Sequence, residues 1–97
     1  MMVKPISREE EAALPVFNSY NEARTFFLNR YGENFMLENV ETFDDETIYF
    51  CILILDKDAW IKGQKQLQDH GYIIGTDFIN SYQPIQISDK GSIHIVY

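Results

Sequence analysis

The sequence predicts an α+β domain, a mostly antiparallel sheet with two helices packed on one face. Three observations carry that expectation. An apolar stripe with helical spacing runs over 20–31 between a capping signal and a glycine. A run over 46–55 is apolar on both parities. Isoleucines then alternate on either side of Asp89-Lys90-Gly91. In chain order the expected elements are helix, strand, strand, helix, strand, strand, strand. With 97 residues the chain makes one domain, burying about 65% of the surface its unfolded form exposes. Residues 1–15 are assigned to a flexible or short-helix arm and 16–97 to the domain.

In the arm, Ser7 and Glu10 have capping-box spacing, and Glu9, Glu10 and Glu11 suit the positive end of a helix dipole, so a short helix fits 8–13 before Pro15. Ser19 and Glu22 repeat the spacing. Tyr20, Ala23, Phe27 and Tyr31 then form a stripe, widened by Phe26 and Leu28, and Gly32 supplies a left-handed cap to a helix over 20–31.

Residues 34–43 follow as a strand, with Phe35, Leu37 and Phe43 on one parity and Met36 and Val40 on the other. Glu41 breaks the alternation and points to a bulge or a change of face. Asp44-Asp45 marks a turn. The strand over 46–55 carries Ile48, Phe50, Ile52 and Ile54 on one side and Tyr49, Cys51, Leu53 and Leu55 on the other, the pattern of a central strand. Asp56 is a suitable N-cap for a helix over 57–70 ending at Gly71, anchored by Trp60, Ile61 and Leu67. Gly63 inside it favours close approach to a neighbour.

The last quarter is expected to be β-rich. Residues 72–74 suggest a short strand, and 78–82 an extended segment that Pro84 confines to an edge or a strand start. Residues 85–88 and 92–97 make a hairpin. Ile85, Ile87, Ile93 and Ile95 face the core, Gln86, Ser88, Ser92 and His94 face outward, and Gly91 takes the positive-φ position.

Charge is unevenly placed. Between Arg30 and Lys57 lie seven carboxylates (Glu33, Glu38, Glu41, Asp44, Asp45, Glu46, Asp56) and no basic residue, and this stretch accounts for the whole net charge of -7. Nucleic-acid binders and anionic-membrane binders need clustered Lys and Arg, so direct contact with DNA, RNA or membrane is not expected. A single cysteine forms no internal disulfide and no zinc cluster. Neither a secretory signal core nor an apolar run near the ~20 residues of a spanning helix is present. The expected location is the cytoplasm.

The chemistry-bearing motifs are sparse. The isolated glycines form no nucleotide loop, and no H-E-x-x-H, C-x-x-C or calcium-loop pattern occurs. Cys51, in the most apolar run, is expected to be a buried core thiol rather than a nucleophile. Glu41 and Glu46 flank one turn, whose tip is open to water and keeps both ionised. Asp44, Asp45 and Glu46 lack the ligand spacing of a built cation site. No catalytic residue, cofactor or metal is therefore assigned.

In size and acidity the chain resembles nuclease inhibitors, toxin-neutralising immunity proteins and phage antagonists of bacterial defence. The resemblance is one of composition alone. It implies a non-catalytic binding protein, monomer or homodimer, that sets an acidic hairpin on a basic protein partner through Glu38, Glu41, Asp44, Asp45 and Glu46. Tyr49, Phe43, Trp60 and Tyr82 are candidate anchors, because aromatics concentrate at interface hot spots. The competing expectations are a domain that pairs with a second copy through its C-terminal edge strand, a charge that serves solubility only, and, third, a small-molecule enzyme, which requires a deep pocket lined by His94 or Cys51 together with a carboxylate.

Overall fold

The computed structural model describes residues 3–72 and 75–97. Its elements are α1 (Arg8–Ala12), α2 (Tyr20–Tyr31), β1 (Phe35–Phe43), β2 (Glu46–Ile54), α3 (Lys57–His70), β3 (Tyr82–Ser88) and β4 (Ile93–Ile95). The strands form one antiparallel sheet in the order β1-β2-β3-β4. The α+β architecture is as expected. The strand suggested at 72–74 falls partly outside the described residues.

Both capping signals operate. Ser7 Oγ accepts from the Glu10 amide while the Glu10 carboxylate accepts from the Ser7 amide. Ser19 Oγ accepts from the Glu22 amide, but Glu22 reaches one residue further back, to the Asn18 N–H. Gly32 ends α2 at φ 60, and a short 3-10 turn over Gly32–Asn34 leads into β1.

The core lies between α2 and one sheet face. Ala23 and Phe27 of α2 meet Phe35, Cys51, Leu53, Ile85, Ile87 and Ile95, all buried. Phe27 stacks on Phe35 with ring centroids 5.1 Å apart. The N-terminal arm closes one end of this core. Ile6 is buried, and its amide and carbonyl are held by the Gln83 side chain at 2.8 and 3.0 Å, as a neighbouring strand would hold them.

Ile52 and Ile54, on the opposite face of β2, are also buried, which accounts for the two-sided apolar pattern. Tyr82, paired with Ile54, meets Phe78 at 5.3 Å, and Phe78 packs over Gly63 of α3. Gly63 is the buried position of α3. Ile61 and Leu67, expected as anchors, are exposed, because the helix touches its neighbour along the glycine rather than along a leucine stripe.

Three further expectations are corrected. Residues 78–82 are not extended: Ile79–Ser81 is a 3-10 turn in which the Ser81 hydroxyl and amide both donate to the Phe78 carbonyl. The Ser81 carbonyl in turn accepts the Leu55 and Asp56 amides, tying the end of β2. Pro84 sits inside a strand paired on both sides. Its carbonyl accepts the Val96 amide at 3.0 Å, one residue past the end of β4, and its nitrogen faces that same side, so the proline removes only the reciprocal bond at the end of the β4 ladder. Ser88 is buried rather than outward, because its hydroxyl accepts the Ser92 amide across the hairpin turn. Gly91 in that turn has φ 91, and a Cβ there would collide with the Phe17 carbonyl.

Candidate functional site

A bulge in β1 assembles the site. Leu37 pairs with Cys51, yet Asn39 pairs with Phe50, so Glu38 is the extra residue. A slip of one residue exchanges the faces of everything beyond it. Phe35 and Leu37 therefore share the α2 face with Val40 and Thr42, while Asn39, Glu41 and Phe43 turn to the other side. The break in alternation lies three residues before Glu41. Its consequence is that Phe43, on the parity of Phe35 in the sequence, leaves the core and is 53% exposed.

On this second face Glu41 pairs with Ile48 and Phe43 with Glu46, so Glu41 and Glu46 occupy diagonal positions on one surface. Ile48 and Phe50 are half-buried there. Asp44 and Asp45 form the two-residue turn, and Asp44, at φ 51, is the one non-glycine with positive φ among the described residues. Asp tolerates that conformation better than most side chains.

Of the seven clustered acids, two serve the fold. Glu33 pairs with Lys57 at 3.2 Å, and Asp56 caps α3 by accepting the Ala59 amide. The other five are the predicted site residues: Glu38, Glu41, Asp44, Asp45 and Glu46. All are exposed, and among the described residues none forms an ion pair. Glu41 accepts a 3.4 Å bond from the Asn39 amide group. Nothing basic within the described molecule neutralises them.

The four candidate anchors separate. Phe43 lies among the acids. Tyr49 points the other way and stacks on Tyr20 of α2. Tyr82 packs against Phe78, and Trp60 is half-buried on α3. Sequence reading missed that Leu37 and Val40, 43% and 44% exposed, form an apolar strip on the opposite side of the same strand. The signal was present in their parity with Tyr49 once the bulge is placed at Glu38.

Cys51 is 2% exposed, its thiol donates to the Tyr49 carbonyl at 3.9 Å, and burial pushes that thiol up to about 11. His94 is exposed on β4, opposite Gln86, and His70 ends α3 beside Tyr72. A groove of about 680 Å³ between the arm and Ile79 contains neither histidine, nor Cys51, nor any carboxylate side chain. Among the described residues no three His, Cys, Asp or Glu side chains are placed to share a metal ion, and no helix is long and apolar enough to cross a membrane. Comparison with protein-family models, with curated proteins and with solved structures finds no match to this chain.

Proposed function

We propose that this chain is a non-catalytic binding protein that docks the β1–β2 hairpin on a basic protein surface, in the manner of an inhibitor occluding a nucleic-acid or catalytic cleft. One observation carries the reading: the bulge at Glu38 sets an exposed phenylalanine among Glu41, Glu46, Asp44 and Asp45, with no counter-charge paired to them among the described residues. A desolvated aromatic inside a charged rim is how interfaces concentrate binding energy. Close charge pairs across such a rim couple by ~1.5–7 kcal/mol, and the field raises encounter rates.

The test is capture of a partner from the native host by the wild-type chain and by Asp44→Lys/Asp45→Lys/Glu46→Lys, at low and high salt, with the captured protein then purified. A basic partner is expected that the wild type releases at high salt and the reversed variant fails to hold. A partner bound equally by both proteins defeats the reading. Phe43→Ala is expected to weaken binding by about 2 kcal/mol while leaving salt dependence unchanged.

A further inference from the structure

The sheet has two edges, and they are finished differently. On β4 the Ile95 amide donates to the Glu11 carboxylate at 3.3 Å, and the Tyr97 hydroxyl closes on the same carboxylate at 2.8 Å. That edge is three residues long and partly occupied. The β1 edge runs nine residues, and among the described residues no backbone hydrogen bond reaches its outer side.

The groups that project from β1 follow from the turn. Two residues separate Phe43 from Glu46, so that pair exchanges backbone bonds, and alternation then directs the amides and carbonyls of Thr42 and Val40 outward. The bond from the Asp89 amide to the Thr47 carbonyl agrees, since it shows that Thr47 faces β3 rather than Thr42. The edge is also two-faced. Leu37 and Val40 are exposed on the α2 side, and Glu38, Glu41 and Phe43 on the other.

We infer that β1 receives an extended segment of the partner as a further strand, and that this segment alternates Lys or Arg with β-branched apolar residues. Backbone bonds to Val40 and Thr42 supply affinity, apolar residues cover Leu37 and Val40, and the cations lie beside Glu38 and Glu41. A second copy of this chain is a poor occupant: β1 against β1 gathers Glu38 and Glu41 of both strands with no base between them, and like charges across a ladder repel. The inference rests on the docking reading above and gives it a geometry.

The probe is a capped nonapeptide alternating lysine with valine, compared with the same peptide N-methylated at alternate residues, which keeps its charge but cannot form the ladder. In low salt the unmethylated peptide is expected to bind about tenfold tighter or better. It should also slow amide exchange at Val40 and Thr42 by a similar factor. Thr42→Pro removes an outward amide without touching the β2 ladder, and with its unfolding midpoint retained it should lose that discrimination. Equal binding of both peptides with Val40 and Thr42 unprotected overturns strand addition yet leaves charge docking standing. Failure of both peptides to bind overturns the two readings together. Protection of Val40 and Thr42 that grows with protein concentration and without peptide marks self-pairing and overturns the basic-strand assignment.

Discussion

The Tyr20 ring lies flat on Tyr49, centroids 3.7 Å apart and planes within 5°, and the Cys51 thiol two residues along the strand donates to the Tyr49 carbonyl at 3.9 Å. One side chain at the start of α2 thus fixes the helix over the middle of β2. That strand continues directly into the acidic turn, so the stack sets the stiffness with which the hairpin is presented. Tyr20→Ala is expected to lower stability by about 3 kcal/mol in urea unfolding, combining lost burial with lost ring contact. Tyr20→Phe keeps the stack and should cost about 0.5 kcal/mol or less.

The pH dependence follows from the same cluster. Burial raises the Cys51 thiol from an ordinary 9.0 to about 11, and burial also raises Tyr20 and Tyr31. The folded state therefore holds these protons longer than the unfolded state. Their contribution is complete below pH 9 and is lost as pH rises toward 11. Unfolding midpoints measured from pH 7 to 11 should be flat and then fall. Cys51→Ala should remove the earliest part of the fall, between about 9 and 10, leaving the tyrosine part. The thiol should react with a disulfide reagent only as fast as the protein opens.

Much of this fold was legible in the sequence where local signals agree with the tertiary result. The bounds of α2 and α3 follow from Ser19, Gly32, Asp56 and Gly71, since caps act on their own backbone. The central strand followed from apolar residues on both parities. What was not legible depends on distant partners. Ile61 and Leu67 carry the chemistry of anchors, but Phe78 selects Gly63. Ser88 alternates outward, but the Ser92 amide draws its hydroxyl in. The site residues were legible as unbalanced charge. Their grouping around Phe43 was not, because a bulge is set by β2 across the ladder and moves every later residue to the other face.

Glu11 closes the β4 edge from a five-residue helix that has no buried residue of its own. Glu11→Ala should cost about 1–2 kcal/mol, since it strips the Ile95 amide and the Tyr97 hydroxyl of a charged acceptor. Hydrogen exchange at Ile95 should accelerate well beyond that at Ile85, which the neighbouring strands hold. An unchanged Ile95 rate would mean that another group covers the edge.

Asp44 holds a left-handed conformation at the tip of the hairpin. An L-residue there costs about 1–2 kcal/mol, and glycine avoids the cost at an entropic penalty of about 0.5–1 kcal/mol. Asp44→Gly should therefore stabilise the chain by about 0.5 kcal/mol, while Asp44→Val destabilises it. Because Asp44→Gly also removes a carboxylate, it should reduce affinity for a basic partner while stability rises. That opposite movement separates the role of the turn from the role of its charge.

Gly63 is where α3 meets the rest of the molecule, and a Cβ there would overlap the Phe78 ring and its own Cβ. In an exposed helix Gly→Ala gains about 1 kcal/mol. Here the forced displacement of Phe78 from Tyr82 should outweigh it, since overpacking costs about 1–3 kcal/mol. Gly63→Ala is expected to be destabilising by about 1 kcal/mol, against the propensity scale. Phe78→Ala alone should destabilise by removing the ring that joins α3 to Tyr82. In the Phe78→Ala background, Gly63→Ala should become neutral or stabilising, because the atom it struck is gone. A double-mutant cycle in urea reads the coupling directly. Additive effects would mean that α3 is held by contacts other than this one, with Phe78 free to move aside.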